Sequence, residues 1–145
     1  MTVPKISVRN LQRKISVNVA ELERFSNHAV QHSLQLYKRR RTDLHKLSEI
    51  FIGLISDRRM ALLHRKFLGQ SGPTDVLTFQ HGEIFISVDT ARRHAHAFEN
   101  SLLRELKLYI AHGLLHLHGF DDETPSESHK MKAAQEKILR NCCAL

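Results

Sequence analysis

His112-Gly113-Leu114-Leu115-His116-Leu117-His118-Gly119-Phe120-Asp121-Asp122 is the stretch from which this 145-residue chain is best read. Two histidines four residues apart sit in an apolar run that includes Leu108, Ile110, Ala111, Leu114, Leu115 and Leu117. On a helix that spacing stacks the imidazoles on one face, a turn apart. It is the geometry by which a helix offers two nitrogen ligands to one zinc ion. Gly119 can end the helix in a left-handed conformation, and a chain reversing there carries Asp122 back toward the same ion. His112, His116 and Asp122 then make three protein ligands with one position open for water, the catalytic rather than the closed structural arrangement. A polar residue enters such an apolar run only with a partner, which favours the metal over two ordinary buried histidines. His28 and His32 share the spacing but lie in a polar helix with no turn or third ligand, and read as solvated surface. His118 falls on another helix face and reads as a supporting or exposed residue.

The chain is long enough for one domain, residues 1–145, with a proper hydrophobic core. Its 41% hydrophobic and 26% charged residues are those of a soluble globular protein. No apolar run approaches a membrane span, and Met1-Thr2-Val3-Pro4-Lys5-Ile6 lacks the apolar core of a signal peptide. Cys142 and Cys143 are adjacent and badly placed to bond each other, so nothing suggests a secreted disulfide scaffold. The expectation is a cytosolic protein with no membrane partner. The net charge of +7 points to a polyanion. It is concentrated in Lys38-Arg39-Arg40-Arg41, Arg58-Arg59, Arg65-Lys66 and Arg92-Arg93. With aromatic residues at only 6%, backbone phosphate contact is favoured over base stacking.

Outward from the histidine pair, residues 5–9 read as a strand, and Asn18 with Glu21 as a capping box opening a helix to about residue 38. Residues 47–55 are β-branched and apolar enough for a central strand. Asp57 is read as the cap of a short helix to Phe67, followed by a loop at Gly69-Gln70-Ser71-Gly72-Pro73. Asp75–Phe79 and Glu83–Ser87 read as a hairpin or neighbouring strands. Asp89 opens a helix through Phe98, and Asn100 or Ser101 opens the long helix of the histidine pair. Thr124-Pro125-Ser126-Glu127 caps a last helix to about Leu139. The reading is an α+β domain, a small mixed sheet packed by about five helices, with the metal site on a helix followed by a glycine turn.

These residues resemble the YbeY family of bacterial rRNA maturation factors. The family signature H-G-x-L-H-L-x-G-[YF]-D-H is matched by residues 112–122. A segment like F-R-G-x-x-x-P-T-D-V-L-S-F is matched by Phe67 to Phe79, and G-[DE]-I-x-I-S by Gly82 to Ser87. The resemblance implies a single YbeY-like metal-dependent hydrolase domain: a zinc-dependent endoribonuclease specific for single strands, holding one zinc ion. It further implies a role in maturing the 3′ end of small-subunit (16S) rRNA and in ribosome quality control. RNA and the small ribosomal subunit are the implied partners, with a ribosomal protein contact.

Two positions depart from the pattern. Asp122 stands where most members have histidine, and carboxylate oxygen also binds zinc. Leu68 stands in place of the motif's arginine, held to contact phosphate. Arg65, three residues earlier on the same predicted helix, is the substitute. Asp121 is a candidate base, or else a turn residue. Two other functions stay open. A metalloprotease of the H-E-x-x-H type needs a glutamate where this chain has Gly113. A ribosome-associated assembly factor would hold its zinc only for structure.

Overall fold

The computed structural model describes residues 3–36, 41–68 and 75–143. Its elements run β1 (Lys5–Asn10), α1 (Val19–Gln35), α2 (Asp43–Lys46), β2 (Glu49–Ile55), α3 (Asp57–Leu68), β3 (Val76–Phe79), β4 (Glu83–Ser87), α4 (Val88–Ala97), α5 (Leu102–Leu117) and α6 (Pro125–Cys143). The four strands make one mixed sheet in the order β1-β2-β4-β3. Strands β1, β2 and β4 are parallel, and β3 pairs antiparallel with β4. The expected α+β class therefore holds, with α2 as a helix that periodicity did not announce. Four residues are too few to show a 3.6-residue repeat.

Alternation decides what each face of the sheet meets. Ile6 and Val8 of β1, Ile50, Ile52 and Leu54 of β2, and Ile84 and Ile86 of β4 are buried in one core with α1, α5 and α6. The opposite face carries a smaller cluster, in which Ile55, Leu77, Phe79 and Phe85 meet Met60 and Leu63 of α3. Helices α3 and α5 thus lie on opposite sides of the sheet. Along α1 the buried positions Leu22, Phe25, Ser26, Ala29, Val30 and Ser33 follow the helical repeat. Its polar side chains close the β1 edge. Asn27 accepts from Ile6 N and donates to Ile6 O, both at 3.0 Å, and Glu23 accepts from Val8 N at 3.0 Å.

Helix starts follow the small polar residues, sometimes one or two positions from where they were expected. Asn18 accepts from Glu21 N at 3.1 Å, half of the expected capping box, while the Glu21 carboxylate takes Arg24 instead of returning to the cap. For α3 the preceding Ser56 is the cap, its hydroxyl accepting from Arg59 N at 3.3 Å. Asp57, expected to be that cap, is the first helical residue. Its carboxylate instead takes the Ser87 hydroxyl, Thr90 Oγ1 at 2.6 Å and Arg93 at 2.6 Å. Burial alone would raise the Asp57 carboxyl, but these hydrogen bonds and the Arg93 charge outweigh it and hold it low. Helix α4 likewise starts after Ser87, whose side chain accepts from Thr90 N at 3.2 Å, rather than at Asp89. Asp89 spans the two helix starts, accepting from Asp57 N at 2.8 Å. Helix α6 opens on a full capping box, Glu127 N to Thr124 Oγ1 at 3.1 Å and Thr124 N to Glu127 Oε1 at 3.0 Å. It runs past Leu139 to Cys143, because Cys142 extends the buried stripe of Met131, Ala134 and Ile138.

Candidate metal centre

Ser101 caps α5, accepting from Arg104 N at 3.1 Å. The helix then buries nearly every side, leaving His112 and His116 half-buried on its open face. Gly113 sets its height above the sheet. A Cβ there would stand 3.0 Å from both Cδ1 and Cγ2 of Ile84 and 3.3 Å from Thr78 Oγ1. The helix ends as the sequence suggested: Gly119 has φ of +94°. Phe120 N donates to Leu115 O at 2.9 Å and Gly119 N to His116 O at 3.0 Å, the pair of bonds that defines a Schellman motif. Phe120 packs on the core, and this fixes the direction of the returning chain.

The reversal brings Asp122 over the two imidazoles. His112 Nε2 and His116 Nε2 are 3.0 Å apart, Asp122 Oδ2 is 3.5 Å from the first and Asp122 Oδ1 3.7 Å from the second. The ligand atoms of the three residues all lie within 4.8 Å of one another. Ligands about 2.0–2.1 Å from a tetrahedral zinc ion sit about 3.3 Å from each other, so these separations suit a single ion. The donor set suits it too. Gln135 of α6 presents Oε1 to His112 Nδ1 at 2.7 Å. A carbonyl oxygen can only accept, so the proton belongs to Nδ1 and His112 Nε2 keeps its lone pair toward Asp122. His112 Nε2 and both Asp122 oxygens are then acceptors facing one point, a set that calls for a cation. Burial, followed by the neighbouring His112, holds His116 below its ordinary pKa, which favours the neutral, metal-binding form.

Two cavities flank His112. The larger, about 370 Å³, opens between β3 and α5 and is lined by Thr78, Gln80, His116, Asp43 and Asp121 among others. The smaller, about 180 Å³, lies toward α6 and includes Asp75, Asp122, Ser128, Lys132 and Gln135. The fold thus brings His112, His116, Asp122 and Asp121 together. It does not bring Arg65 among the described residues lining either cavity. Arg65 is exposed in the last turn of α3, across the sheet from α5. Of the basic runs, Arg41, Arg58, Arg59, Lys66, Arg92 and Arg93 are exposed. Lys38, Arg39, Arg40, the Leu68 side chain and the loop at 69–74 lie outside the described residues.

His118 corrects one expectation, for it is neither exposed nor at the ligands. It is wholly buried at the end of α5, with Nδ1 3.0 Å from the Thr42 hydroxyl. Burial, and then His45, push it down to about 4, so it is neutral at physiological pH. Of the pair read as solvated surface, His28 is exposed and His32 is half-buried. Gln135 was missed, though there was a signal for it: a polar residue on the inward stripe of an amphipathic helix needs a partner.

Known proteins resemble this chain in sequence and fold. A family model described as endoribonuclease YbeY matches residues 7–142. A protein of Anaeromyxobacter sp. named endoribonuclease YbeY is 38% identical over 103 residues, covering 64% of this chain and 54% of that protein. One of the same name from Phocaeicola vulgatus is 38% identical over 101 residues, covering 65% and 73% of the two chains. The match thus spans only about half the length of the first of these relatives. A solution structure of a Thermotoga maritima protein shares the fold, with TM-score 0.61 at 24% identity over 94% of this chain and 90% of that one. On the extent of the family match, which spans residues 7–142, the chain belongs to the YbeY family.

Proposed function

We propose that the protein is an endoribonuclease that hydrolyses single-stranded RNA with one zinc ion held by His112, His116 and Asp122. The observation that carries this reading is the convergence of three acceptor atoms beside an open cavity, on a helix held at one height by Gly113. Held by His112, His116 and Asp122, a zinc ion would supply an acidified water and polarise a phosphoryl oxygen. The chain's own residues do the rest. Gln135 keeps His112 in the tautomer that faces the centre. Asp121, lining the larger cavity, takes the proton of the attacking water as its oxygen bonds phosphorus, and returns it to the ribose oxygen whose bond to phosphorus breaks. Arg65, exposed in the last turn of α3 on the other side of the sheet, can meet only a phosphate away from the scissile bond. The substrate is the 3′ end of small-subunit rRNA, and the setting is ribosome maturation and quality control in the cytoplasm, at the small subunit and a protein of it.

Proteolysis by the H-E-x-x-H route is disfavoured by packing as well as by composition. Position 113 faces Ile84 and Thr78 at contact distance, so no general base can be carried there. Metal content of the purified protein, measured with cleavage of a single-stranded RNA before and after chelation, tests the proposal. About one equivalent of zinc and chelator-sensitive cutting are expected. Metal-loaded protein that leaves RNA intact would reduce the zinc to a structural role in an assembly factor.

A further inference from the structure

The substrate of this centre is an anion, yet the surroundings are acidic. Asp43 and Asp121 line the larger cavity, and Asp75 and Asp122 the smaller. Four carboxylates outweigh the two charges of a bound zinc ion. A phosphodiester is repelled unless a cation meets it. Among the described residues lining the two cavities there is one lysine or arginine, and it is Lys132. Resting on the endoribonuclease reading, we propose that Lys132, assisted by Ser128, binds a non-bridging oxygen of the RNA phosphodiester beside the metal centre.

Placement on α6 supports this. Ser128, Lys132 and Gln135 lie at helical spacings of four and three, hence on one stripe with neighbouring side chains. Gln135 touches ligand His112 at 2.7 Å, so that stripe is anchored at the centre itself. Lys132 stands one turn from Gln135 on the side toward Asp122, and Ser128 one turn further. Among the described residues no carboxylate comes within ion-pair distance of Lys132, although Asp75 and Asp122 line the same cavity. The Ser128 side chain has no hydrogen-bond partner there either, while its backbone N donates to Thr124 O at 2.9 Å. A hydroxyl and an ammonium facing one cavity from one helix stripe fit a tetrahedral oxyanion. Lys130, two positions away and exposed, points from the other side of the helix and serves as a control.

The test uses Lys132→Ala, Lys132→Arg and Lys130→Ala in the full chain, Ala being the residue best tolerated in an exposed helix. A fluorescent single-stranded RNA oligonucleotide is titrated onto metal-free protein over a range of salt, and its cleavage by zinc-loaded protein is followed separately. Lys132→Ala should lower the slope of log affinity against log salt by about 0.7, the value for one lost single-strand phosphate contact. It should cut kcat/KM by about 10- to 100-fold with zinc content unchanged. Lys132→Arg should restore the slope and most of the rate, and Lys130→Ala should leave kcat/KM as it was. If the wild type cleaves and Lys132→Ala matches it in slope and rate, the phosphate assignment falls and the endoribonuclease stands. If zinc-loaded wild type never cleaves, the endoribonuclease reading falls, and the metal-free salt slope alone still decides whether Lys132 meets phosphate. Metal-free wild type that binds no RNA overturns the assignment directly.

Discussion

Replacing Gly113 with alanine weighs two opposed effects at the contact that seats the ligand helix. Helix propensity favours the change by about 1 kcal/mol. Packing opposes it, because the new methyl meets two Ile84 carbons at 3.0 Å and Thr78 Oγ1 at 3.3 Å. Carbon pairs are comfortable at about 3.5–4.0 Å, so these contacts are on the repulsive side. Ile84 is wholly buried in a strand paired on both sides, and has nowhere to retreat. Overpacking of such a core costs about 1–3 kcal/mol, and with three close contacts the upper part of that range applies. The net expectation for Gly113→Ala is a loss of about 1–2 kcal/mol, or about 3–8 °C in Tm for a domain of this size. Thermal unfolding of metal-free protein by circular dichroism measures it, and competition with a chromophoric chelator follows zinc affinity in parallel. In an Ile84→Val background, which deletes the clashing Cδ1, the alanine should cost about 0.5 kcal/mol less or better. Gly113→Ala at wild-type stability or above would refute the close seating of α5 on the sheet.

Further outcomes follow from the same geometry. His112→Ala or His116→Ala should abolish zinc retention by elemental analysis, while Asp122→His keeps it; wild-type metal content in both alanine variants sinks the ligand assignment. Gln135→Leu should weaken zinc affinity by about 10- to 100-fold by freeing His112, and Gln135→Glu should retain it; equal affinities would show that His112 needs no orientation. Arg65→Ala should slow RNA cleavage without touching metal content, and an unchanged rate removes Arg65 from the reaction. Histidines of the unfolded chain titrate near 6.5, whereas buried His118 is pushed down to about 4. As pH falls the unfolded state therefore binds protons first. Stability of the metal-free protein is complete above about pH 6.5 and lost progressively toward pH 4, by up to about 3 kcal/mol from His118. Urea midpoints that stay flat between pH 7 and 4.5 would refute this.

The elements that could be read in advance were those whose signal is local. Ile6 and Val8 alternate with polar neighbours, Asn18 and Thr124 cap, and Gly119 reverses the chain, each within a few residues of its effect. What escaped depends on partners far along the chain. Asp57 looks like a cap until Ser56 is seen to do that work while Ser87, Thr90 and Arg93 draw its carboxylate to α4. His118 looks peripheral until Thr42 receives it at the end of a buried helix. The centre divides the same way. His112, His116 and Asp122 share one segment and were legible together. Gln135 and Lys132 reach it from α6, and Thr78 from β3, through packing that no spacing in the sequence encodes.

The three residues that could hold a metal occupy one short segment, two of them already set in register by α5 and the third delivered by the Gly119 turn. Closing so short a loop costs little chain entropy. A bound ion would therefore tie the last two turns of α5 to their own continuation, with no ligand from a distant part of the chain. The sheet, α1 and most of α5 keep a separate apolar core. This is the reverse of a zinc finger, where the ion is the core and its removal is unfolding. A metal held here would be seated in a finished vessel: it could leave and be replaced by another ion while the protein stays folded.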